Sequence, residues 1–68
     1  MNMKKIGETV KSRRKVLKLS QTDLAEIADI STVTVSALEN GIANITINNL
    51  YEILDILGLE IKIDIKQR

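Results

Sequence analysis

Apolar residues recur with the three-to-four-residue period of a helix as far as about residue 58, and with the two-residue period of a strand beyond it. Over Met3 to Leu17, Ile6, Val10 and Leu17 share helical spacing, with Val16 beside them. The spacing then predicts a helix over 21–28, where Leu24, Ile27 and Ala28 make one apolar face, and another over 32–39, anchored by Val35 and Leu38. Ser20 and Ser31 stand where each of these helices begins, and a serine hydroxyl there accepts from a backbone N–H that has no intrahelical partner. Asp23, three residues after Ser20, completes a capping-box pattern, and Asn40-Gly41 is a stop signal. A connecting loop covers Ile42 to Ile45, and Thr46 caps a fourth helix running to about Leu57 and closed by Gly58. Its residues Ile47, Leu50, Leu54 and Leu57 form one stripe with Ile53 and Ile56 beside it, a face wide enough to need two packing partners.

After Gly58 the segment LEIKIDIK alternates apolar and charged residues strictly, with Leu59, Ile61, Ile63 and Ile65 on one side, which predicts a strand over Leu59 to Lys66. A lone strand leaves its N–H and C=O groups unpaired, and nothing earlier in the chain offers a second one, so its partner is expected to be another molecule. In a twofold homodimer the strand meets its own copy antiparallel. Centring the pair on Ile63 places Glu60 opposite Lys66 and Lys62 opposite Asp64, whereas centring on Lys62 pairs that lysine with itself. Centring on Ile61 or on Ile65 also avoids like-charge pairs but uses less of the strand. The expected fold is therefore an all-α domain of four helices over 1–58, followed by a C-terminal β-strand, 59–68, that pairs across a homodimer.

Two short capped helices joined by a tight turn, 21–28 and 32–39, are a helix-turn-helix. The second helix of such a pair fits a DNA major groove while the first steadies it. With Val35 and Leu38 turned inward, the base-reading candidates are Thr32, Val33, Thr34, Ser36 and Ala37. Their methyl groups suit a thymine methyl and their hydroxyls reach base edges or phosphates.

The net charge of +1 hides an asymmetry that strengthens this expectation. Lys4, Lys5, Lys11, Arg13, Arg14, Lys15 and Lys18 crowd the first segment against Glu8 alone, and no Lys or Arg occurs from Leu19 to Glu60. A basic helix beside a helix-turn-helix is placed to meet phosphates, which makes Arg13 and Arg14 candidates. Gln21, at an exposed first-turn position, is another. Asn40 either donates to a phosphate or simply stops its helix.

Composition narrows the class further. A chain of 68 residues buries only about 60% of its unfolded surface and gains from association. With no His and no Cys it lacks the usual base, thiol nucleophile and soft metal ligands, and no glycine-rich phosphate loop is present, so no enzyme activity, metal or cofactor is expected. No stretch is long and apolar enough for a membrane, and no signal peptide is visible over Met1 to Lys18. Absence of cysteine fits a reducing compartment, so the expected location is the cytoplasm. Asn44-Ile45-Thr46 fits a glycosylation sequon, but Thr46 reads as a helix cap.

LSQTDLAEIA followed by ISTVTVSALENG resembles the helix-turn-helix of the Xre/Cro-type phage and bacterial repressors, a lambda-repressor-like fold, over Ile6 to about Leu57. The resemblance implies that Gln21 contacts the DNA backbone, that Thr32, Val33 and Ala37 read bases with Thr34 and Ser36 nearby, and that Arg14 pairs with Glu39 while facing phosphate. Such a pair has its own logic, since an unneutralised Glu39 beside DNA would repel phosphate. Lys18 and Asp29 depart from the pattern, standing where those repressors usually carry glycine, so both are expected to take positive φ at some cost or to alter the turns. The strand in place of a fifth helix is similar in layout to the HipB-type antitoxins. That similarity implies an alternative role, in which a kinase-like toxin is the protein partner and DNA binding serves autoregulation.

Overall fold

The computed structural model describes residues 2–42 and 44–66; the part of the connecting loop at Ala43 and the chain end at Gln67 and Arg68 lie outside the described residues. Four helices follow one another: α1 (Met3–Val16), α2 (Gln21–Ala28), α3 (Thr32–Glu39) and α4 (Ile47–Ile56).

All four are capped by a side chain: Asn2 accepts the N–H of Lys5 at the start of α1, and the other three start on a hydroxyl. Ser20, Ser31 and Thr46 each accept the backbone N–H three residues on, from Asp23, Thr34 and Asn49. Ser20 also donates its own N–H to the Asp23 carboxylate, closing the capping box. An apolar residue precedes each hydroxyl cap: Leu19, Ile30 and Ile45. All three are partly buried against the core, as the hydrophobic staple requires.

The helix ends share a closure as well. Leu19, Ile30, Ile42 and Leu59 each donate N–H to the carbonyl five residues back, on Arg14, Ala25, Ala37 and Leu54. This is the Schellman arrangement, and it needs a left-handed residue just before the donor. Gly41 and Gly58 supply it freely at φ 79° and 71°, while Lys18 and Asp29 adopt φ 59° and 56° without being glycine. The left-handed region costs an ordinary L-residue about 1–2 kcal/mol, less for Asp. The positive-φ alternative of the two expected at Lys18 and Asp29 is thus the one adopted.

Val10, Leu24, Ala25, Ala28, Val35, Leu38, Leu50, Ile53, Leu54 and Leu57 form one aliphatic core. α2 packs on both α3 and α4, so its buried face centres on Leu24, Ala25 and Ala28. Ile27, expected inside, is left on the rim at 55% exposure, and Val16 and Ile47 are similarly outside at the ends of α1 and α4. Periodicity gives the direction of an apolar stripe but not where the neighbouring helix stops.

The C-terminal strand expected over Leu59 to Lys66 is not formed: the described residues contain no strand. A ladder needs a second backbone, and this single chain supplies none. Leu59 and Ile61 lean on the core, whereas Ile63 and Ile65 stand 85% and 87% exposed. No helix among the described residues is long and apolar enough to cross a membrane.

Candidate nucleic-acid interface

α3 is held from behind. Val35 and Leu38 are buried, which turns Val33, Ser36, Ala37 and Asn40, at spacings of three, four and seven residues, toward the opposite side. Val33 is 78% exposed, Thr32 and Asn40 are exposed, and Ser36 and Ala37 are half-buried. Thr34 lies on the flank, half-buried, with its hydroxyl 2.8 Å from that of Ser31. Of the five base-reading candidates, Val33, Ser36 and Ala37 therefore share the outer side, and Thr32 and Thr34 lie on its two flanks, Thr32 exposed and Thr34 half-buried.

The C-terminal end of α3 is fixed by a buried polar cluster. Arg14 of α1 grips Glu39 with two parallel bonds, Nε to Oε2 at 2.7 Å and Nη2 to Oε1 at 3.0 Å. Its Nη1 donates to the Leu19 carbonyl at 2.8 Å. Gln21, the first residue of α2, adds Nε2 to Glu39 Oε1 at 3.1 Å. One carboxylate thus ties α1, α2 and α3 together. The Arg14 and Glu39 side chains are only 9% and 2% exposed, and no buried side-chain polar atom among the described residues lacks a partner.

Burial opposes ionisation of Glu39, yet the hydrogen bonds from Arg14 and Gln21 and the charges of Arg14 and Lys11 outweigh it and hold its carboxyl below the ordinary range. The same hydrogen bond with Glu39 raises Arg14 despite its burial. At the start of α2 the Asp23 carboxyl is lowered by the backbone and hydroxyl bonds of Ser20. The cluster stays charged at neutral pH, with the negative charge of Glu39 balanced by Arg14.

Arg13 is turned away from this cluster. Its Nε donates to the carbonyl of Leu57 at 2.8 Å, at the C-terminal end of α4, where unpaired carbonyls carry a partial negative charge. Successive helical residues differ by about 100° in direction, so adjacent arginines reach different helices. Sequence reasoning also passed over Gly7. A Cβ there would stand 2.9 Å from the Glu39 carbonyl oxygen and closer still to that of Leu38, so only glycine lets α1 lie against the end of α3. The available signal was a glycine inside a helical pattern, which often marks a close backbone approach.

A family model described as helix-turn-helix matches residues 10–63. Among solved structures, the restriction-modification controller protein C.AhdI from Aeromonas hydrophila superposes with a TM-score of 0.77 at 26% identity, covering 85% of this chain and 88% of that one. SinR, the master regulator for biofilm formation, solved in complex with DNA, gives 0.72 at 28% identity over 81% of this chain and 89% of that one. A structure named MDT Protein gives 0.82 at 24% identity over 98% and 94%, a likeness of fold. No curated protein matches the chain.

Proposed function

The chain belongs to the Xre-type helix-turn-helix family, and from that premise we propose that it is a sequence-specific double-stranded DNA-binding homodimer that represses transcription. It is a binding protein and not an enzyme. The observation that carries the reading is the outer side of α3: a short, nonbasic strip, exposed at Thr32 and Val33 and half-buried at Ser36 and Ala37, on a helix whose far end is locked by the Arg14, Gln21 and Glu39 cluster. A helix that arrives in the groove already ordered loses less freedom on binding. Support comes also from SinR, a relative in fold captured on DNA.

In this reading Thr32, Val33 and Ala37 meet base edges and thymine methyls, with Ser36 and Thr34 beside them. Gln21, Arg14 and Asn40 face the phosphates that flank the groove, and Arg14 does so while neutralising Glu39. The homodimer rests on the tail. Its apolar side is continuous from Leu59 to Ile65, but its own domain covers only Leu59 and Ile61, and a second copy paired about Ile63 would shelter the remainder. Such a dimer presents two α3 helices to half-sites about one helical turn apart.

Selection of bound duplexes from a random library tests the function. An inverted repeat with half-sites about 10 base pairs apart is expected, and no enrichment even at low salt would overturn it. Removing residues 59–68 should leave a less stable monomer by sedimentation. A full-length chain that sediments as a monomer would instead assign the tail to a different protein partner, as the antitoxin-like alternative has it.

A further inference from the structure

α1 has two flanks with different neighbours. On one, Gly7 abuts the backbone of Leu38 and Glu39, a Cβ on Gly41 would stand 2.9 Å from the Lys4 Cα, and Arg14 grips Glu39. This flank therefore runs along the C-terminal end of α3. On the other, Arg13 holds Leu57, and Lys5 and Thr9 line a groove of about 380 Å³ with Leu54 and Leu59. Lys4, Lys11 and Lys15 follow one another at seven and four residues, within about 20° of a common line down the helix. That line passes next to Gly7 and Arg14, roughly 100° from Lys5 and opposite Arg13.

All three lysines are exposed, and among the described residues none forms an ion pair. Glu8 is the one acid near them on α1. Lys11, between Gly7 and Arg14, is close enough to act on the Glu39 carboxyl. The two arginines, by contrast, already have donors engaged inside the protein: Arg14 uses all three nitrogens on Glu39 and Leu19, and Arg13 its Nε on Leu57. A cation already bound to protein gains less from a phosphate than one held only by water.

We propose that Lys4, Lys11 and Lys15 form a stripe that binds backbone phosphates of duplex DNA beyond the end of α3, and that Arg13 is a positioning residue for α4 that contacts no phosphate. The assignment rests on the DNA-binding reading above and extends its footprint along α1. At a rise of about 1.5 Å per residue the stripe is some 16 Å long, the axial span of about five phosphates on one strand. Replacing a single lysine there removes one contact, whereas replacing Lys5 changes net charge equally on the flank that faces the tail.

The test is fluorescence anisotropy of the full chain with a short labelled mixed-sequence duplex, titrated from about 50 to 200 mM KCl. Lys11→Ala and Lys15→Ala should each lower the slope of log K against log salt by about 0.9 and weaken binding about tenfold at 50 mM. Lys5→Ala should leave the slope unchanged, and Arg13→Ala should lower the melting temperature without moving it. Alanine is the best helix former, so the lysine variants keep their fold, which circular dichroism verifies. Equal slopes for wild type, Lys11→Ala and Lys15→Ala would overturn the stripe, and a slope lowered by Arg13→Ala would overturn the positioning role. Failure of the wild type to bind any duplex would bring down the DNA-binding reading itself, and the stripe with it.

Discussion

Gly7→Ala separates intrinsic helix preference from packing, because the two predict opposite signs. Gly7 sits inside α1, where an alanine is worth about 0.5–1 kcal/mol through reduced backbone entropy and better helix propensity. Against that, the new methyl carbon would lie 2.9 Å from the Glu39 carbonyl oxygen and 3.0 Å from its carbonyl carbon, with Leu38 nearer still. Ordinary carbon-to-oxygen contacts begin at about 3.3 Å. Several tenths of an ångström of backbone movement are therefore required at Glu39 and more at Leu38, and neither neighbour is the loose end of a side chain. Overpacking of this kind costs about 1–3 kcal/mol, and a rigid backbone neighbour puts it at the upper end. The net is a loss of about 2 kcal/mol, or about 8–16 °C in melting temperature for a domain of this size. Thermal unfolding followed by circular dichroism at neutral pH reads it directly. Because the displaced carbonyls belong to the end of α3, DNA affinity should fall even well below the melting point of the variant. A melting temperature equal to or above that of the wild type would show that α1 and α3 are not in this contact.

Three further perturbations probe the cluster, the turns and the reading face. Glu39 has its folded-state carboxyl lowered, so its stabilisation is complete above the ordinary carboxylate range and is lost as pH falls through that range toward the lowered value. The wild type should lose stability as pH falls through the carboxylate range, and Glu39→Gln should flatten that limb while costing about 3 kcal/mol at neutral pH by stranding Arg14; parallel acid limbs in the two proteins would refute it. Lys18→Gly exchanges about 1–2 kcal/mol of left-handed strain for about 0.5–1 kcal/mol of chain entropy. It should therefore raise the melting temperature by a few degrees, and Asp29→Gly by less, with a fall in both counting against the strain. Val33→Ala and Ala37→Ser should change operator preference by about 1–3 kcal/mol per affected base pair with the melting temperature unmoved, and an unaltered selected sequence would remove both from the reading face.

The helix-turn-helix is legible because its signals are local. Ser20 and Ser31 sit where caps form and Asp29 and Asn40-Gly41 where closures form, and the helices at 21–28 and 32–39 start and end where those residues place them. What needs a neighbour to be decided is not legible. Ile27 and Ile47 fit an apolar stripe, but only the edge of the adjacent helix leaves them outside. Arg13 and Arg14 are indistinguishable in composition and separated by one step of helical rotation, so packing alone sends one to Leu57 and the other to Glu39. The alternation of Leu59 to Lys66 is real, yet strand pairing is a relation between two backbones, and one chain holds only half of it.

The opposite turns of Arg13 and Arg14 make α1 the member through which α3 and the end of α4 are joined. From Ile63 the path runs through the half-buried Leu59 and Ile61 to Leu57, across Arg13 to α1, and from Arg14 to Glu39 at the end of α3. Leu59 and Ile61 pack against the core that contains Leu57, and from Leu57 onward the links through Arg13 and Arg14 are hydrogen bonds of 3.0 Å or less. A homodimer joined at the tails would then hold its two α3 helices at one distance and one angle. Inserting a single base pair between half-sites moves the second by about 3.4 Å and turns it by about 34° around the duplex axis. A loosely tethered pair would follow that change with little loss, since a flexible link costs only slowly with length. This pair should not, and the insertion is expected to reduce operator affinity toward that for a random duplex. Binding that tolerates the insertion would mean that the tail and α3 move independently, and that the Arg13 and Arg14 contacts do not carry orientation from one to the other.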